Sequence, residues 1–204
     1  NWQGGNGVGA ADTARIYNSG VTMAPASVLS GSASVTRVWL GNQSAPESGA
    51  LTVQSGATLS TSGDFIVSQN STLASSGAIS VGNGNGMIVR DSGNVTLNSG
   101  ATLNKLTLSE DSTATLNAGS SVTTIQNLAN NAQLTMNNNY SGNLVMNNAS
   151  SLTVGGTLDG NFGVGSTAMQ YIGETMRYLC NMPTVRPGCS FFKRAFPSMD
   201  LCSG

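Results

Sequence analysis

The chain repeats itself about every twenty residues, and few folds accommodate such a period. Short apolar-Thr-apolar or small-Thr-apolar triplets mark it: Val21-Thr22-Met23, Leu51-Thr52-Val53, Ser71-Thr72-Leu73, Val95-Thr96-Leu97, Ala114-Thr115-Leu116, Leu134-Thr135-Met136 and Leu152-Thr153-Val154. From Thr52 onward the central Thr advances in steps of 20, 24, 19, 20 and 18. The first step, Thr22 to Thr52, is 30, and an insertion at Gly41 to Gly49, carrying Pro46, accounts for the excess. A second series keeps the same period: Val38-Trp39-Leu40, Phe65-Ile66-Val67, Met87-Ile88-Val89, Leu106-Thr107-Leu108, Thr123-Thr124-Ile125, Leu144-Val145-Met146 and Phe162-Gly163-Val164. A weaker third series contains Ala57-Thr58-Leu59, Ala78-Ile79-Ser80 and Ala101-Thr102-Leu103.

Turn residues punctuate both series. Gly56, Gly77, Gly100, Gly119 and Gly142 follow the first strand of successive repeats, where a tight corner needs positive φ. Asn70, Asp91, Asp111, Asn131 and Asn148 follow the second, and their side chains suit a left-handed corner. Strands of three to five residues are too short for an independent hairpin sheet. Stacked in parallel at ~4.8 Å they pair with their equivalents above and below. The expected fold is therefore an all-β parallel β-solenoid (β-helix) of about seven coils of ~20 residues. Alternate residues of each triplet point in and out, so Leu51 and Val53 are expected inside and Thr52 outside. The expected division is a Gly-rich N-terminal segment at 1–20, the solenoid at 21–165, and a C-terminal cap or docking segment at 166–204.

The runs Leu51 to Leu59 (LTVQSGATL), Val95 to Leu103 (VTLNSGATL) and Ala114 to Val122 (ATLNAGSSV) resemble the passenger regions of autotransporter-type surface proteins and related adhesins. The resemblance covers residues 20 to 164. It implies a bacterial, exported, surface-displayed solenoid serving adhesion, scaffolding or catalysis.

Composition narrows the function. Only 8% of residues are charged, against about 25% in an ordinary soluble domain. Apolar residues still make up 39%, enough for a core. A net charge of −1 gives no basic face for nucleic acid, and no apolar run is long enough to span a membrane. Histidine is absent, which excludes Ser-His-Asp and Cys-His catalysis and His-ligated metal. No cofactor and no catalytic residue is expected. Gly4 to Gly9 resembles the calcium-binding nonapeptide of RTX proteins but lacks its acidic residue and a second copy; a covering segment is the better reading.

The tail differs from the repeats. Met169, Ile172, Met176 and Leu179 fall at helical spacings, and Pro183 and Pro187 stop the helix, so a helical cap over the last coil is expected. Cys180, Cys189 and Cys202 all lie here, as do Arg177, Arg186, Lys193 and Arg194. One intrachain disulfide would leave a spare thiol able to join a second chain. Self-association through the solenoid ends or this segment is expected, because open strand edges invite further chains.

Three outer-face features are candidate sites. Arg37 and Trp39 project together if Val38 and Leu40 face inward, forming a platform for a glycan or a cell-surface protein, unless the loop at 41–49 folds over Trp39. Asp91 and Asp111, with Arg90 and Glu110 beside them, are the one acidic cluster, either a polysaccharide-cleaving pair or a solvated turn. The column Thr22, Thr52, Thr72, Thr96, Thr115, Thr135 and Thr153 resembles the face of ice-binding solenoids. A secreted structural or adhesive surface protein, possessing no enzymatic site, is the leading expectation.

Overall fold

In the computed structural model the chain is a parallel β-solenoid of about seven coils. The structure describes residues 13–17, 27–42, 44–82, 86–164, 169–172 and 175–176. Three columns of strands run up the stack, and every pairing between coils is parallel. The first column is an eight-stranded sheet: β2 (Ser27–Leu29), β5 (Ala50–Val53), β8 (Thr72–Ser75), β11 (Asn94–Leu97), β13 (Thr113–Leu116), β15 (Gln133–Met136), β17 (Ser151–Val154) and β19 (Met169–Ile172).

The other two columns share one sheet. One begins with β3 (Ser32–Val35), β6 (Thr58–Thr61) and β9 (Ala78–Val81); the other with β1 (Thr13–Ile16), β4 (Arg37–Leu40), β7 (Phe65–Val67) and β10 (Met87–Val89). From β12 (Ala101–Leu108) upward the two merge into single long strands. Ala101 and Thr102 pair with β9, and Leu106 to Leu108 pair with β10. The merged path continues through β14 (Ser121–Leu128), β16 (Tyr140–Met146), β18 (Thr157–Val164) and β20 (Thr175–Met176). The weak third repeat series in the sequence is thus a complete strand column.

The inward residues form one continuous core. Leu51, Leu73, Val95, Ala114, Leu134 and Leu152 stack in the first column, all at most 3% exposed. Phe65, Met87, Leu106, Ile125 and Leu144 stack in the third. A parallel sheet requires both faces covered or solvated by polar side chains. Here the inner faces close on one another, and the outer face of the first column carries mostly Thr, Ser, Asn and Gln, with Val28 and Ala74 among them.

Backbone registers correct the alignment read from the sequence. Thr52 pairs with Ala74 and Val28, and Ala74 pairs with Thr96. The column is Val28, Thr52, Ala74, Thr96, Thr115, Thr135, Thr153, in which Thr72 has no place; Thr22 lies outside the described residues. Burial decides this: Leu73 and Ser75 both face inward and are fully buried, which places Ala74 between them on the outside. The coil lengths become 24, 22, 22, 19, 20 and 18 residues. Similarly, the triplet Thr123-Thr124-Ile125 is offset. Ile125 pairs with Leu106 and Leu128 with Leu108, with a register shift between them.

The corner leading into the first column is a four-residue turn in five coils, at 68–71, 90–93, 109–112, 129–132 and 147–150. Its two central residues both take φ of +45° to +63°, and the fourth residue donates its N–H to the first carbonyl, as Ser71 does to Ser68 and Gly93 to Arg90. This is the type I′ geometry. The expected left-handed Asn and Asp residues are all there, but they alternate between the two central places. Asp91 and Asn148 hold the first, Asn70, Asp111 and Asn131 the second. At the other corner Gly56, Gly100 and Gly119 have positive φ, whereas Gly142 lies inside β16.

Strands also occupy both ends. β1 pairs with β4 within the expected N-terminal segment. Past residue 166 the described residues are strand: β19 pairs with β17 and β20 with β18. Ile172 there aligns with Val154 and Met169 with Ser151, so the two lie at places of opposite parity rather than on one helical face. Leu179 and Cys180, Cys189 and Cys202 lie outside the described residues.

Candidate functional site

One corner breaks the four-residue rule. Between β4 and β5 the chain takes nine residues, 41–49, where later coils take four. Insertions into a repeat protein map to loops on one face, often the binding face. The loop is braced at both ends: the Gly41 amide donates to the Ile16 carbonyl at 2.9 Å, and the Gly49 amide to Ser71 Oγ at 2.9 Å. In between, Asn42 Nδ2 donates to Glu47 Oε2 at 2.7 Å, and Asn42 Oδ1 accepts the Ser44 amide at 3.0 Å. A Cβ at Gly41, whose φ is +88°, would collide with the Ser68 carbonyl, so the loop leaves the coil through a glycine.

This loop walls a groove of about 240 Å³ lined by Arg15, Tyr17, Trp39, Gly41, Asn42 and Ser44. Trp39 projects outward from β4, as the alternation of Val38 and Leu40 demands, and is half-buried. Its guanidinium partner is a correction to the sequence reading. Arg15, directly below Trp39 in the register of β1 on β4, holds its Cζ 4.7 Å from the indole centroid. Arg37 is exposed on the same strand but is not part of the groove. Arg15 and Tyr17 were not singled out in the sequence, because their strand precedes the visible repeat; the pattern Ala14, Ile16 beside Arg15, Tyr17 was the available signal. Above Trp39 the outward stripe continues with Ile66 and Ile88. Ile66 is only 9% exposed although it points away from the core.

Trp39 Nε1 is buried and makes no hydrogen bond among the described residues. No carboxylate among the described residues forms an ion pair with Arg15, whereas Arg90 pairs with Asp91 at 3.5 Å.

The acidic corner is arranged differently from the sequence expectation. Asp91 and Glu110, not Asp91 and Asp111, hold equivalent turn places on neighbouring coils. A hydrogen bond between their carboxyl groups raises the Glu110 pKa, helped by desolvation and the Asp91 charge and opposed by Arg90. Asp111 instead accepts Asn131 Nδ2 at 3.0 Å. No group of three or more His, Cys, Asp or Glu among the described residues is placed to hold a metal ion, and no described helix could cross a membrane.

On the first column's outer face, Thr96, Thr115, Thr135 and Thr153 align without a break, and Ala74 interrupts the column below them. The neighbouring outward column mixes Thr72, Asn94, Thr113, Gln133 and Ser151. The adjacent corner carries an amide ladder: Asn117 Nδ2 donates to Asn98 Oδ1 at 3.0 Å, and Asn137 Nδ2 to Asn117 Oδ1 at 2.7 Å.

Comparison of the chain with protein-family models, curated proteins and solved structures gave no match, so its function is argued from the groove and the fold alone.

Proposed function

We propose that the chain is a secreted, cell-surface structural and adhesive module: a rigid solenoid whose lengthened corner holds a recognition groove. The observation that carries this reading is the nine-residue loop at 41–49, which departs from the four-residue turn and walls an aromatic, donor-rich groove. A scaffold of short, mutually paired coils keeps such a groove fixed in space, because each coil is held by its neighbours. The low charge and the Thr-, Ser- and Asn-covered outer face suit an extracellular surface element of the adhesin kind. In this reading the protein performs no catalysis and needs no cofactor. Self-association end to end accompanies it, since each coil presents the same strand edge as the one beneath.

Beads coated with the purified protein are expected to adhere to glycan-bearing cell surfaces and to lose adhesion when those glycans are stripped. Absence of adhesion from correctly folded protein overturns the adhesive reading. Light scattering and negative-stain microscopy test assembly, and a stable monomer at high concentration removes the filament.

A second reading, polysaccharide cleavage, has one observation in its favour: the carboxyl groups of Glu110 and Asp91 are hydrogen-bonded to one another, which raises the Glu110 pKa. Two adjacent carboxyl groups are the machinery of glycoside cleavage. Release of reducing ends by the protein, abolished in Glu110→Gln and Asp91→Asn, would favour it over adhesion.

A further inference from the structure

We propose that the groove between β1 and the loop at 41–49 binds a carboxylate-bearing sugar residue of an acidic saccharide. The proposal rests on the adhesive reading and names its ligand class.

The groove offers donors. The Arg15 guanidinium lies over the Trp39 ring, and a guanidinium stacked this way keeps its N–H edge free for a planar, bidentate anion. Stacking also fixes the fork in advance, so less freedom is lost when the anion docks. Trp39 contributes its ring, which holds the guanidinium fork in place. Ser44 and the Tyr17 hydroxyl add groups able to donate from the rim. The nearby acid does not cancel this set: Glu47 bonds to Asn42 Nδ2 and does not line the groove.

The remaining features select a sugar over other anions. Tyr17 is 40% exposed and lines the groove, giving an aromatic face against which a pyranose ring can lie. The volume, about 240 Å³, lies below the ~300–1,000 Å³ of pockets that engulf a drug-sized ligand. It therefore takes one ring with its carboxylate, the rest of the saccharide lying outside. Carboxylate is favoured over sulfate by the planar match to a guanidinium fork. The Asn42 side chain shapes the site from within the loop, where it donates to Glu47 and accepts the Ser44 amide.

The test uses the whole chain and the methyl glycosides of glucuronic acid and N-acetylneuraminic acid, with methyl glucoside and methyl glucuronate methyl ester as neutral controls. Binding is followed by ligand-observed NMR and by calorimetry. An acidic glycoside is expected to bind saturably and the neutral ones at least about tenfold more weakly, in line with the loss of a charge-assisted hydrogen bond. Arg15→Gln is expected to weaken binding about tenfold or more, and Trp39→Ala, which removes the ring that holds the guanidinium, to weaken it in the same direction. Arg37→Gln, on the same strand but outside the groove, should leave it unchanged. Circular dichroism and melting of each variant confirm that it is folded. Equal binding of neutral and acidic glycosides, an unchanged Arg15→Gln, or equal binding of a poly-glutamate peptide overturns the proposal. Adhesion of coated beads that persists in Arg15→Gln sinks the groove while sparing the adhesive reading; absence of adhesion by the unaltered protein sinks that reading itself.

Discussion

The phenolic oxygen of Tyr140 accepts the amide of Ile125, from the coil beneath, at 3.1 Å, and its hydroxyl donates to the Asn143 carbonyl. The ring is 2% exposed, the bulkiest of the fully buried side chains. The bond falls beside the register shift between β14 and β16, where the ordinary ladder loses a step. A side chain thus supplies an acceptor that the neighbouring strand does not.

Tyr140→Phe keeps the packing and removes both bonds. The buried Ile125 amide loses its partner, at about 1–3 kcal/mol if unrelieved, and the denaturant midpoint should fall accordingly. Burial also pushes the Tyr140 pKa up to about 12, against the opposing pull of the Ile125 bond. A phenol whose folded pKa is raised favours the neutral form. Its contribution is complete below about pH 10, its unfolded value, and is lost as pH climbs toward 12. Tyr140→Phe is expected to flatten this alkaline loss; an identical alkaline profile would show that Tyr140 is not its source.

Glu110 predicts the acid side. Its pKa is raised above 4.5, first by the hydrogen bond to Asp91. The folded state therefore binds more protons than the unfolded one just above pH 4.5, and stability declines as pH rises through the raised value. Glu110→Gln, neutral at every pH, should stabilise the protein at pH 7 relative to pH 4. Urea titrations at the two pH values measure the difference, and a pH-independent effect would refute the pairing.

Leu106 and Thr115 separate core from face. Leu106 is fully buried between Met87 and Ile125, so Leu106→Ala should cost about 2–5 kcal/mol. Thr115→Ser, on the outer column, should cost within about 0.5 kcal/mol. Because coils are coupled only to their neighbours, hydrogen exchange in Leu106→Ala should quicken most in β10, β12 and β14.

Ala149 occupies a left-handed turn place, φ +55°, with neither a polar side chain nor the freedom of glycine. A left-handed L-residue costs about 1–2 kcal/mol, and the added flexibility of glycine in the unfolded chain returns about 0.4–1 kcal/mol of that. Ala149→Gly should raise stability by up to about 1 kcal/mol, and Ala149→Val should lower it. Melting temperatures of the three proteins decide the order.

Much of this fold was legible because solenoid strands repeat both a period and a parity. Val95-Thr96-Leu97 over Ala114-Thr115-Leu116 was read in its true register, since both strands alternate cleanly. Ser71-Thr72-Leu73 was misread because Thr is common in strands and the Thr label outweighed the inward Ser75. The shift at Ile125 was hidden because a β-bulge leaves no composition mark. The groove was half legible. Trp39 and the loop stood out, but Arg15 comes from a strand whose triplet resembles none of the others, so only pairing through space brings it to the indole.

The unequal coils have a bearing on how the chain finds one structure. A stack of identical turns could slide by a whole turn and lose only its terminal contacts, leaving many near-equal arrangements. Here turns of 24, 22, 22, 19, 20 and 18 residues sit under one another, and the second and third columns fuse only from β12 upward. Any slide would set a long turn over a short one and force corner residues into the interior. Irregularity acts like the teeth of a key: it leaves a repetitive polymer a single alignment.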